Sequence, residues 1–320
     1  MNARNLLSVV LLFALVPGAR AQNYPVKSIR WIVSFPPGGG ADTLSRMLSP
    51  RIAEALGQQI IIDNRSGAGG NIGAEIAAKS PADGYTILFA FLGTHAINPS
   101  IYSKMPFQEN DFTPIIWNAS SPLILVVHPS LPAKSVPELI AIANSRPDQL
   151  IYGSTGAGAH NHLAAELFKM MTHTRMVHVP YKGGGPAAIA LLSGEVAVLF
   201  AEPATIVEHV KSGKARALAV SSGKRSITLP NLPTIADSGV PGYDVTSWNG
   251  MLAPARTPPE IIRRLNAEFN KAISAPDIRE RMLANGFEPI GGPPERFGEL
   301  IHNETLKWAT VVKAAGMKVD

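Results

Sequence analysis

The chain has no cysteine among its 320 residues. That excludes disulfide cross-links, and it also excludes a lipid anchor carried on a cysteine at a cleavage point. A chain this long can build a large enough core without cross-links, and it has room for two ordinary domains. Charge of one sign is also scarce. The formal net charge is +5, spread along the chain, and no basic run is interleaved with aromatics as nucleic-acid binding would require. No nucleic-acid partner is expected.

Long apolar runs are missing too. Leu6 to Val16 is broken only by Ser8, and it is too short to span a bilayer as an anchor. It follows Arg4, ends at Pro17-Gly18 and precedes Ala19-Arg20-Ala21, an A-x-A cleavage pattern. Residues 1–21 therefore read as a cleavable secretory signal. Without Arg4 and Arg20 the mature chain keeps a mild excess of positive charge. The expectation is a soluble, monomeric periplasmic protein.

What the chain has in quantity is glycine ahead of helices. Phe35-Pro36-Pro37-Gly38-Gly39-Gly40-Ala41-Asp42-Thr43 follows an apolar run, Ile29 to Phe35. It precedes a helical pattern with apolar positions at Leu44, Met47, Leu48, Ile52 and Leu56. Asp42 or Thr43 is placed to cap that helix, Pro50 to kink it and Gly57 to end it. Helix starts carry N–H groups without intrahelical partners and the positive end of the dipole, so they suit anions. The device recurs at Ser66 to Asn71, at Ser154-Thr155-Gly156-Ala157-Gly158-Ala159-His160 and at Tyr181 to Pro186. One such turn is only a tight connection; four suggest a pocket lined by backbone donors.

Strand and helix patterns alternate along the chain, which implies βαβ units and a mostly parallel sheet. The pattern restarts near Pro122, and a Ser, Gly and Pro-rich crossing segment runs from Ser221 to Pro241. Trp248 to Pro254 returns to an apolar strand before a helical tail. A tail without a sheet of its own has to pack on the first unit. The expected division is residues 22–122 plus 247–320 in one α/β lobe and 123–246 in the other, with crossings near 123 and 246. Ligands bind in the cleft between the lobes in such folds.

Catalytic signals are weak. No glycine loop ends in Gly-Lys-Ser/Thr, and Ile72 stands where a dinucleotide loop needs its third glycine. Gly153-Ser154-Thr155-Gly156 is not a G-x-S-x-G elbow. A hydrolase using Ser154 or Thr155 with His160 or His162 as base remains the rival reading, and a sensor subunit for a membrane kinase is a third. His162 and Glu166 share a helix face, but two ligands make a poor metal site. No metal and no cofactor are expected, and binding fits better than catalysis.

Several stretches together resemble one family. Phe35-Pro-Pro-Gly-Gly-Gly-Ala-Asp42, Asn64-Arg-Ser-Gly-Ala-Gly-Gly-Asn-Ile-Gly73, Tyr152-Gly-Ser-Thr-Gly-Ala-Gly158, Val179-Pro-Tyr-Lys-Gly183 and Leu191-Leu-Ser-Gly-Glu195 are similar to the substrate-binding proteins of tripartite tricarboxylate transporters, the Bug receptors. The resemblance covers essentially all of the chain after the signal. It implies a type II periplasmic binding-protein fold, α/β in both lobes, that closes over a small carboxylate and delivers it to membrane transporter subunits. It also implies ligand contacts from Phe35, Gly39, Gly40, Asp42 and Thr43 in the first turn and from Ser154 through Gly158 in the third. Thr94 and His95 are expected at the same cleft, with His160 and Tyr181 nearby. Phe200-Ala201 departs from the Phe-Asp of many relatives. If Ala201 faces the ligand, the protein should prefer acids that lack an amine.

Overall fold

The computed structural model describes residues 24–156, 158–181 and 183–317. The expected signal, residues 1–21, and Ala157 lie outside the described residues. In chain order the first elements are β1 (Ile29–Val33), α1 (Gly40–Leu56), β2 (Ile60–Asn64), α2 (Asn71–Ala78), β3 (Thr86–Phe91) and α3 (Asn98–Ile101). There follow β4 (Phe112–Pro122), β5 (Ile124–Val127), α4 (Val136–Ser145), β6 (Ile151–Ser154), α5 (His160–Thr172), β7 (Val177–Pro180), α6 (Gly184–Ser193), β8 (Val198–Ala201), α7 (Pro203–Lys211) and β9 (Arg216–Val220). The last are β10 (Thr246–Pro254), α8 (Pro259–Ser274), α9 (Pro276–Ala284), β11 (Glu288–Pro289) and α10 (Pro294–Ala314).

The strands form two sheets, ordered β11-β4-β10-β3-β1-β2 and β7-β6-β8-β5-β9. Neither is mostly parallel. In the first, β1 runs parallel to β2 and β3, while β10 is antiparallel to both β3 and β4. In the second, β6 is parallel to β7 and β8, and β5 is antiparallel to β8 and β9. The difference comes from β4 and β10, two long strands, in the first sheet and from β5 in the second. β4 carries no strand pattern in the sequence, because it is largely buried on both faces and contains Pro114 and Asn118. Such a strand has no apolar–polar alternation to read.

Local chemistry sets the element ends. Gly57 takes φ 66 to stop α1, a left-handed angle that a side chain would penalise. Pro50 does not split α1, which is a single helix. Ser135 accepts the N–H of Glu138 and caps α4, as the spacing suggested. The first sheet packs Trp31, Val33 and Phe89 against Leu44, Leu48, Leu265 and Phe269 of α1 and α8. The second packs Ile124, Leu199 and Ala201 against Ala187, Leu191 and Ile206 of α6 and α7. A third apolar cluster holds residues of both units, including Leu88, Leu125, Tyr152, Phe200 and Trp248. The tail folds back on the first unit, with α8 on β4 and α1, and α10 on β4.

The chain leaves the first sheet at Pro122 and enters the second at Ile124, then returns between β9 and β10. Ser221 ties the two crossings together. Its N–H donates to Leu123 O (2.8 Å), its C=O accepts from Val245 N (2.8 Å), and its hydroxyl accepts from Leu123 N (2.8 Å) while donating to Val245 O. The residue is fully buried. Ser221→Ala would strand Leu123 N–H and leave Val245 O short of a donor, and a buried unpaired polar group costs about 1–3 kcal/mol. The expected outcome is a clearly lower urea midpoint with unchanged far-ultraviolet circular dichroism. Wild-type stability would show that the crossings do not depend on Ser221.

Candidate functional site

Two glycine turns meet at a row of three aromatic rings. Phe35 lies just past the end of β1, and Phe91 ends β3. Their rings sit edge to face, with centroids 5.3 Å apart. His160, the first residue of α5 in the second unit, stands edge-on to Phe91 at 5.6 Å. The strand ends of the first sheet thus touch the helix start that follows β6 in the second. Phe287 closes the side of the first turn, 3.5 Å from where a Cβ on Gly40 would lie. Its neighbour Gly286 approaches Pro203 at the start of α7 in the same way, at 3.1 Å.

The first turn is shaped by its own side chains. Gly38 takes φ 82, and its N–H donates to Oδ2 of Asp42 (2.9 Å). The same carboxylate accepts from Arg46 Nε (2.9 Å) and from Asn64 Nδ2 (3.1 Å), while Asn64 also donates to Phe35 O (3.0 Å). Asp42 is only 4% exposed. The Arg46 hydrogen bond does most to hold its carboxyl below the ordinary carboxylate range. Asp42 is therefore a clamp on the turn; its oxygens are taken. It does not cap α1 as expected, and neither does Thr43. Gly39 is the N-cap, without a side-chain bond, and Thr43 N–H already donates to Gly39 O (2.9 Å). The N–H groups of Gly40, Ala41 and Asp42 have no acceptor among the described residues.

The second turn is clamped by neutral groups. The Ser154 hydroxyl donates to Gly156 O (2.9 Å) and accepts from Gly156 N (3.1 Å). His178 Nε2 lies 2.7 Å from the same oxygen. The hydroxyl has one proton, already given to Gly156, so His178 donates here. Asn161 Oδ1 accepts from both the N–H and the hydroxyl of Thr155 (3.2 and 3.0 Å), and Gly158 N–H donates to His162 Nδ1 (3.0 Å). Gly158 itself takes φ 77. Ser154 is fully buried, so its hydroxyl serves the loop and cannot attack an incoming substrate. α5 starts at Ala159 with no side-chain cap.

Beneath this turn, the rings of His162 and His178 stack with centroids 3.7 Å apart and planes 9° from parallel. Tyr152 lies against both, its hydroxyl donating to Glu166, which also takes Lys169. Burial first, then the His178 neighbour, pushes His162 down to about 4. Burial likewise lowers His178, and it lowers His160, whose Nε2 has no hydrogen-bond partner among the described residues and lies 3.5 Å from Glu202 Oε1. No group of three metal-ligating side chains occurs among the described residues.

Of the other expected contacts, Thr94, His95 and Ala201 lie elsewhere. Thr94 donates to Gly69 O (2.9 Å) and fixes the Ser66 to Asn71 loop, so closely that a Cβ on Gly70 would sit 2.3 Å from its hydroxyl. His95 turns its ring toward Phe107 and Phe112, away from the aromatic row. Tyr181 stays beside the second turn, its N–H donating to Ser154 O (2.9 Å), while its ring packs on the outer core of the second unit and its hydroxyl donates to Glu195 (2.7 Å). Ala201 is 2% exposed within that same core, so it offers nothing to a ligand and the inference drawn from its lack of a carboxylate loses its basis. Phe91, Asn64, Asn161 and His178 were not anticipated. Of these, Phe91 was within reach, since it ends β3 much as Phe35 follows β1.

The depressed histidines fix a pH dependence. A group whose folded value lies below its unfolded value of 6.5 contributes stability above that pH and loses it as pH falls. Urea midpoints should therefore drop between pH 6.5 and 4, and the His162 ring should stay neutral to about pH 4 in an NMR titration. Titration of His162 near 6.5 would mean that the stacked pair is solvated.

The sequence profile of the Tripartite tricarboxylate transporter family receptor matches residues 44–317. Protein BugT of Bordetella pertussis is 36% identical over 325 aligned positions, covering 100% of both chains. Among solved structures, the R. palustris protein Rpa4515 with adipate is 39% identical at a TM-score of 0.81, covering 92% of this chain and 99% of its own. MatC from Rhodopseudomonas palustris with bound malate is 30% identical at 0.77, covering 90% and 100%.

Proposed function

The chain belongs to the tripartite tricarboxylate transporter receptor family, whose members are non-enzymatic periplasmic solute-binding receptors of two α/β lobes, and we propose that it captures a small dicarboxylate. In this reading residues 22–122 and 247–320 form one lobe, residues 123–246 the other, and the ligand lies between them. The chain acts as a monomer and hands its ligand to the membrane subunits of a transporter.

One observation carries the proposal. Two glycine turns from different sheets are brought together by the Phe35, Phe91 and His160 rings, and each opens a helix of more than three turns. The Gly40, Ala41 and Asp42 amides at the start of α1 and the corresponding amides of α5 are suited to grip carboxylate oxygens from opposite sides. Neutral donors suit a receptor that must release its cargo. A buried arginine–carboxylate pair would cost several kcal/mol per ion to desolvate, whereas oriented amides lose little when the lobes part. Closure is a hinge motion about the two crossings that Ser221 joins.

The adipate and malate found in the two R. palustris structures support a dicarboxylate over a monoacid. A ligand at 100 times its Kd adds about 2.7 kcal/mol of stability. Adipate, succinate or malate at millimolar concentration should therefore raise the melting temperature by several degrees. Asp42→Asn, which turns an acceptor clamp into one with a competing donor, should weaken that ligand about tenfold or more while the helical content stays the same. No shift with any di- or tricarboxylate would contradict the proposal.

A further inference from the structure

The first unit contains a pocket of about 440 Å³ away from the aromatic row. It lies between the segment after α3, strand β4 and helix α10. Phe107, Phe112, Leu252 and Ile301 make its walls and are all buried, with Met105 and Pro114 completing the apolar surface. The volume is in the range that holds a small organic molecule, roughly 300–1,000 Å³.

Of the polar side chains that line it, Gln108, Glu109 and Asn110 are exposed and Thr305 donates to Ile301 O (2.8 Å), whereas His95 carries a buried atom without a partner among the described residues. His95 is 6% exposed, and its Nδ1 faces the Phe91 N–H at 3.4 Å. That bond makes Nδ1 the acceptor and puts the ring proton on Nε2. Nε2 has no partner among the described residues, although the ring lines the pocket between Phe107 and Phe112. A buried donor without an acceptor is costly, and a ligand oxygen would relieve it. Burial holds the ring well below its usual range, at about 4, so it is neutral at ordinary pH.

The surroundings also define the charge of the occupant. Among the described residues no lysine or arginine lines the pocket. Glu109 stands at its rim, 3.5 Å from His302 Nδ1. A carboxylate would meet that acid, with one buried neutral donor at His95 and the exposed amides of Gln108 and Asn110, which is too little to offset its desolvation. This is the opposite of the first turn, where the N–H groups of Gly40, Ala41 and Asp42 have no acceptor among the described residues.

We propose that this pocket is a second small-molecule site, which takes a compact uncharged ring compound bearing one hydrogen-bond-accepting oxygen, such as a cyclic or aryl ketone. The oxygen accepts from His95 Nε2, and the ring fills the space between Phe107, Phe112 and Ile301.

The test uses mature protein with ¹⁵N-labelled histidine, read by long-range proton–nitrogen NMR. Acetophenone and cyclohexanone are the probes, toluene is the shape control and benzoate the charge control. Acetophenone should move the His95 Nε2 signal saturably at millimolar concentration, and bind about five- to tenfold tighter than toluene, the worth of one hydrogen bond. Benzoate should leave that signal in place. Met105→Trp, at a half-buried position on the mouth, should block the ketone while adipate affinity at the turns stays within about twofold. His95→Phe should equalise acetophenone and toluene. An unmoved His95 signal, or equal binding of acetophenone and toluene by the wild-type protein, overturns the proposal whether or not either variant folds. The first result would mean that the pocket holds only water.

Discussion

The backbone amides at the start of α1 are available only because Asp42 is not. Its carboxylate is filled by Gly38 N–H, Arg46 and Asn64, and hydrogen bonds to a charged group are worth about 1.5–3 kcal/mol each. That clamp fixes the left-handed Gly38, and the N–H groups of Gly40, Ala41 and Asp42 that follow are without acceptors among the described residues. The turn after β6 reaches the same end without charge, through Ser154, Asn161, His162 and His178. In both turns side chains hold the main chain; in the second they take the N–H groups of Thr155, Gly156 and Gly158, so the donors left for the proposed ligand are those at the start of α5 itself. A receptor built this way needs no cationic side chain in its grip.

The same division of labour explains where buried histidine is placed. His162 and His178 stack face to face under the second turn, and this is tolerable only while both are neutral. Each hydrogen-bonds the turn above, and because His162 Nδ1 accepts the Gly158 N–H, protonating His162 would break that bond and loosen the turn. The crossings between the sheets show a related economy. One serine satisfies donors and acceptors on both passages of the chain, so the two strands that a hinge must bend remain in register with each other.

Much of this was legible in the sequence. The strand, glycine turn and helix from Ile29 to Leu56 follow from apolar periodicity and from Gly57, and the restart near Pro122 marks the passage between sheets. Side-chain direction was not legible. Asp42 and Gly38 are four residues apart across a turn, so their bond depends on a backbone angle that composition does not specify. The wide turn over Gly93–Ile97 sends His95 to one side and Thr94 to the second glycine loop. Ala201 ends a strand whose last residue points into the core, and a residue pair such as Ala201 and Glu202 reveals nothing about which one does. β4 escaped for a different reason, since burial on both faces erases the alternation that identifies a strand.

The central claim is closure of two lobes over a dicarboxylate held by the turns of α1 and α5. Because the chain has no native cysteine, two can be introduced cleanly, at exposed Glu54 on α1 and exposed Glu208 on α7. Spin labels at Glu54→Cys and Glu208→Cys report the distance between the units by pulsed electron resonance. The account expects a broad distance distribution that narrows to one population when adipate or malate is added, with the Asp42→Asn background needing more ligand. A distribution unchanged at saturating dicarboxylate would contradict closure about these crossings.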